Sequence, residues 1–124
     1  MTGVQTCASS DLIWLTPREI SILADTGVSV QHNPGSNLKV GSGLAPIRAL
    51  LDAGVNVSMG TDGCGSIEGT DMQNALYLCG LVHKLRGDHT TWVGATESFR
   101  AATMGGAKAL GRGRDLGADR KSVV

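Results

Sequence analysis

Two stretches of the chain, LADTGVSV from Leu23 and LLDAGVNV from Leu50, follow one pattern. Asp25 falls over Asp52, Gly27 over Gly54 and Val28 over Val55. Each reads as the end of an amphipathic helix, a glycine stop and a β-branched strand. That repeat narrows the topology: strands separated by helices lie parallel, joined by right-handed crossovers. The first unit opens on TPRE, in which Thr16 caps, Pro17 takes the first helical position and Glu19 completes a capping box. Ile20, Leu23 and Ala24 follow at helical spacing, and VSVQHN is the strand. The second helix begins near Ser42-Gly43, with Pro46 in its first turn and Ile47, Leu50 and Leu51 inward; its strand carries Val55, Val57 and Met59. Asp71 then caps a helix with Met72, Ala75, Leu76, Cys79, Val82 and Leu85 on one stripe, stopped by Gly87. Thr91 starts another helix toward Met104, and GGAKALG forms a last short turn. The order is α-β-α-β-α-α. Two strands leave edges unpaired and faces uncovered, so the pattern predicts a portion of a larger α/β protein.

With formal net charge +0 and 18% charged residues, nothing favours nucleic acid or a polybasic membrane patch. No apolar run is long enough to span a bilayer, and the start lacks the order of a signal peptide. Cys7, Cys64 and Cys79 form neither a CxxC pair nor an even set, which argues against a disulfide framework or zinc cluster and predicts a reducing, cytoplasmic setting. The two ends stand apart. MTGVQTCASSDL (1–12) and DRKSVV (119–124) show no helical or strand period and resemble translated sequencing-adapter DNA. The expected domain is therefore 13–118, with both ends left out of the fold.

In a repeated unit of this kind the strand-to-helix loops carry function. The first, QHNPGSNLKVGSG from Gln31 to Gly43, holds His32, Asn33, Ser36, Asn37 and Lys39. A lone histidine there is more often a hydrogen-bonded structural residue than a ligand. Gly41-Ser42-Gly43 lacks the spacing of a phosphate loop, and Lys39 precedes it instead of following. The second loop holds Asp62, Cys64, Ser66, Glu68 and Asp71. Asp62 stands in GTDG at the end of an apolar strand, and two readings are open: a plain Asp-Gly turn, or a ligand where parallel α/β enzymes place their chemistry.

Taken together, His32-Asn33-Pro34-Gly35-Ser36-Asn37 and Gly60-Thr61-Asp62-Gly63 resemble the amidohydrolase superfamily. The likeness is to its cytosine-, guanine- and adenosylhomocysteine-type deaminases and triazine hydrolases. That branch shows an H-N/C-P-x-S-N loop after its seventh barrel strand and a GTDG turn after its eighth. DMQNALYLCGLVHKL and ESFRAATMGGAKALG are similar to its closing helices. The resemblance implies the C-terminal part of a metal-dependent (β/α)8 TIM barrel that hydrolyses C–N or C–Cl bonds on a nitrogen heterocycle. It implies that Asp62 is both a metal ligand and the catalytic acceptor of the water proton, with His32 and Asn37 near the substrate. It further implies zinc or iron in the complete parent, a small-molecule substrate, no nucleic-acid or membrane partner, and a parent able to be homo-oligomeric. The chain departs from the pattern in its histidines. The family needs an HxH pair, a further metal His with a Glu soon after, and a sixth-strand His, whereas this chain has only His32, His83 and His89. The sixth-strand position falls on Asp11, and neither His83 nor His89 offers a replacement. One carboxylate does not hold a catalytic zinc, so this chain alone is expected to bind no tight metal and to be inactive. The rival readings are a small α/β binding module without catalysis and a fragment with no function of its own.

Overall fold

The computed structural model describes residues 5–8, 12–65, 67 and 69–119, the first four by their backbone alone. Strands β1 (Gln5–Ala8), β2 (Ser29–His32) and β3 (Asn56–Met59) form one parallel sheet in the order β1-β2-β3. Helices α1 (Pro17–Thr26), α2 (Pro34–Lys39) and α3 (Ile47–Asp52) lie between β1 and β3 in the chain. Then come α4 (Met72–Val82), α5 (Ala95–Arg100) and α6 (Gly106–Ala109). This is a run of the parallel β/α units of which a TIM barrel is built. No helix among the described residues is long and apolar enough to cross a membrane.

The repeated unit folds as its residues dictate. The Thr16 hydroxyl accepts from the Glu19 N–H at 3.3 Å, and Glu19 reaches back to the Thr16 N–H at 2.7 Å. Gly27 closes α1 in the left-handed region. β2 and β3 pair parallel from Ser29 on Asn56 to His32 on Met59. Val57, Ser58 and Met59 are all buried, so β3 does not alternate. A strand covered on both faces by a parallel fold has no solvent side to alternate with.

Several features differ from the sequence reading; among them, the helix expected from Ser42-Gly43 starts only at Ile47, and Leu85, placed on the apolar stripe, is exposed. β1 lies within 1–12, where no element is expected, and pairs with β2 from Gln5 on Ser29 to Ala8 on His32. A parallel ladder is made of backbone groups, so an extended segment can join an open edge without a side-chain pattern of its own. The loop after β2 contains the short helix α2, with Pro34 at its first turn. The helix expected from Thr91 starts at Ala95, because the Glu97 carboxylate accepts from the Gly94 N–H at 2.9 Å while the Thr91 hydroxyl donates to Asp88 O. Asp11, Ser66 and Glu68 lie outside the described residues.

The core gathers Ile13, Ile20, Val30, Ile47, Leu50 and Val57 with Cys79 and Ala101 from the later helices and Val93 from the loop before α5. Arg48 fastens α3 to α5, pairing with Glu97 at 2.6 Å and with Asp52 at 2.9 Å. After α5 the helix loosens into a π-helical turn, Ala101–Gly105, which packs on β3. Gly105 is what lets it approach: a Cβ there would stand 2.1 Å from the Val57 carbonyl oxygen. Asn56 completes the seam, its amide donating to Gly105 O at 3.0 Å. Backbone cannot swing aside as a side chain can, so Gly105→Ala is expected to destabilise the fold by roughly 1–3 kcal/mol. A urea titration checks this; an unchanged midpoint would show that the helix does not sit on β3.

Candidate functional site

β2 and β3 end side by side, and both sequence-predicted loops leave from those ends. Gly60 N–H donates to His32 O at 3.0 Å, carrying the pairing one residue past β3. A Cβ at Gly60 would lie 2.0 Å from the Gln31 amide nitrogen and 2.7 Å from Asn33 Oδ1, so a side chain here would have to displace the Gln31 and Asn33 side chains. The Gln31 amide itself donates to Asn33 Oδ1 at 3.1 Å.

Asp62 follows in the left-handed region, with φ 68°, the one non-glycine residue there among those described. That conformation costs most residues energy, and Asp and Asn tolerate it best. Two hydrogen bonds fix its side chain. The Ser36 hydroxyl of α2 donates to Oδ2 at 2.6 Å, and Gly63 N–H donates to Oδ1 at 2.7 Å. These donors, Ser36 first, hold the Asp62 carboxyl below the usual range. Asp62 is thus an ionised, half-exposed carboxylate with each oxygen keeping lone-pair capacity beyond its one donor. The left-handed backbone and the two donors together fix the direction of the carboxylate.

Asn37 and His32 are both buried. Asn37 lies on α2, one residue after Ser36, and neither its amide oxygen nor its amide nitrogen has a partner among the described residues. Its backbone is tied at both ends, to Asn33 O and from Ser42 N–H, each at 3.0 Å. His32 turns toward α4: its Nε2 lies 3.2 Å from His83 Nε2. Burial, then the neighbouring His83, drop the His32 pKa to about 3, while burial, then Arg86, drop His83 to about 4. Both rings are neutral near neutrality.

The sequence reading sets Ser36 in the loop without a role, and it dismisses His83. The one available signal for His83 is its spacing. Cys79 and His83 stand four apart on the buried side of α4 and its continuing 3₁₀ turn, and they meet His32 there. Among the described residues, these three form the one cluster of three potential ligating side chains, and Asp62 belongs to none. The zinc centre that the resemblance implies therefore does not assemble from the described residues, since a single carboxylate falls short of three protein ligands.

Comparison with known proteins agrees with the two loops. Residues 2–118 match the Amidohydrolase family. The 5-methylthioadenosine/S-adenosylhomocysteine deaminase of Thermococcus onnurineus (strain NA1) is 48% identical over 99 residues, covering 80% of this chain and 23% of that protein. Among solved structures, a zinc-bound adenosine deaminase from Xanthomonas campestris superposes with TM-score 0.83 at 40% identity, covering 92% of this chain and 25% of its own. The zinc complex of an atrazine chlorohydrolase from Arthrobacter aurescens TC1 gives TM-score 0.85 at 37% identity, with the same coverage of 92% and 25%. The chain spans about a quarter of the length of the relatives it matches. It belongs to the amidohydrolase family.

Proposed function

We propose that this chain is the C-terminal barrel portion of a metal-dependent hydrolase that removes an amino group, or a chloride, from a nitrogen heterocycle. Asp62 carries the reading. It leaves the end of a parallel strand, ionised and half-exposed, with its carboxylate clamped by Ser36 and Gly63. A carboxylate so held can contribute one ligand to a divalent ion, accept a proton from the attacking water and pass it to the leaving group. The remaining ligands would come from parts of the protein beyond this chain. Asn37, with its unpartnered amide on the helix that clamps Asp62, is the group proposed to meet the heterocycle. His32 supports that loop from beneath, through His83.

The test is a full-length gene containing this segment, assayed for metal content and for release of ammonia or chloride. The panel is adenosine, 5-methylthioadenosine, S-adenosylhomocysteine, guanine and atrazine. Turnover of at least one, with metal bound, is expected. Binding without turnover in a metal-loaded protein would favour the rival binding module. In the same assay Ser36→Ala should weaken metal affinity or activity by about 10–100-fold, the usual cost of losing a group that orients a ligand. Ser36→Thr keeps the hydroxyl and should recover part of that loss. An Ala variant with unchanged metal and rate would remove Ser36 from the account.

A further inference from the structure

The His32, Cys79 and His83 cluster takes no chemical step in the reaction above; His32 and His83 only support the loop. All three are buried, and their ligating atoms lie within 4.8 Å of one another. Three elements bring them together: the end of β2, the middle of α4 and the 3₁₀ turn His83–Leu85 that continues it. We propose that these residues form a three-coordinate site for a monovalent copper ion, bound by two imidazole nitrogens and the Cys79 thiolate.

For the two histidines the spacing is close to what such an ion needs, with the Cys79 Sγ within 4.8 Å of both. Two imidazole nitrogens on a common ion at about 2.0–2.1 Å stand roughly 3.3–3.6 Å apart. The two Nε2 atoms here are 3.2 Å apart and face each other. Both rings are kept neutral by burial, the protonation state a metal requires. The thiol has a supporting donor, as the Ser98 hydroxyl of α5 lies 3.4 Å from Cys79 Sγ and donates to it. Ligands tied down by an outer hydrogen bond are held in the orientation for binding.

Charge selects the ion. A thiolate and two neutral imidazoles around a divalent ion leave one net positive charge in the core, whereas a monovalent ion leaves none. A buried uncompensated charge is costly, and thiolate with imidazole suits soft monovalent copper. Binding exchanges one bond for another: the Cys79 S–H gives its proton to solvent, the S–Cu bond forms, and nothing is oxidised or reduced. The sequence reading expects no tight metal because it counts Asp62 as a lone ligand; Cys79 and His83 meet His32 only across the fold. The inference does not rest on the role given to Asp62.

The experiment uses the 124-residue chain with Cys7→Ser and Cys64→Ser, which leaves Cys79 as the sole thiol. Under anaerobic, reducing conditions it is titrated against a coloured chelator loaded with monovalent copper. One equivalent of copper should be withdrawn, with release of one proton and a new near-ultraviolet thiolate-to-copper band. Cys79→Ser should lower the affinity at least 100-fold with an unchanged circular dichroism spectrum. If that variant loses helix, His83→Gln decides in its place, with the same loss expected. Zinc added alone should bind at least tenfold more weakly. Failure to compete for copper, full affinity in both variants, or a preference for zinc would each overturn the assignment.

Discussion

Asp62→Asn in the complete enzyme is expected to lower turnover by about 10²–10⁴-fold, the loss typical of one acid–base group, while the fold stays intact. The substitution is nearly isosteric and suits the backbone, since Asn accepts the left-handed region that Asp62 occupies. Its amide oxygen can still accept from Gly63 or from Ser36, so the turn keeps an anchor. What disappears is the charge and a proton acceptor of suitable strength, and metal content should fall with them. Asp62→Ala is the informative contrast. Alanine at φ 68° adds about 1–3 kcal/mol of backbone strain and removes both clamping bonds. It should therefore lose stability as well as rate and metal, whereas Asn keeps its stability. An Asp62→Asn enzyme with full metal and full turnover would reduce GTDG to turn chemistry and nothing more.

That contrast also marks how far the sequence could be read. TPRE, the glycine stops and the β-branched runs act over a few residues, so the capping box of α1 and the pairing of β2 with β3 were legible from spacing. The GTDG and HNPGSN loops were legible as a pair because each follows a strand of the same repeat. The Ser36 bond to Asp62 spans 26 residues of chain, and the contact of His32 with His83 spans 51. No local pattern encodes such meetings; they exist only once the sheet has set the loop ends beside α4. α2 was hidden for a different reason. Pro34-Gly35 reads as a turn, yet proline is well suited to the first turn of a helix. Gly35 packs closely there, since a Cβ would stand 2.2 Å from the end of the Ile67 side chain and would have to push it aside. β1 was invisible because an edge strand of four residues needs backbone bonds and no signature.

Acid should destabilise this chain progressively below pH 6.5, through two buried histidines. His32 and His83 are both buried, with pKa values near 3 and near 4 in the fold against an ordinary value of 6.5. The sign follows from which state binds the proton. Below pH 6.5 the unfolded chain takes up two protons that the folded chain refuses, so stability is full above that point. It is lost as pH falls toward about 4, and His32 alone extends the loss to about 3. Each proton contributes about 1.4 kcal/mol per pH unit, so the pair contributes about 2.7 kcal/mol per unit in the middle of the window. Complete domains are stable by only about 5–15 kcal/mol, so two pH units suffice to threaten the fold. Urea titrations at pH 7.5, 6.5, 5.5 and 5.0 should show the midpoint falling steadily below pH 6.5. His83→Gln, which can still hydrogen-bond to His32 but does not titrate, should halve that slope. A midpoint unmoved between pH 7.5 and 5.0 would mean that the two rings do not face each other in a buried, neutral pair, and the anchor beneath the His32 loop would be lost with them.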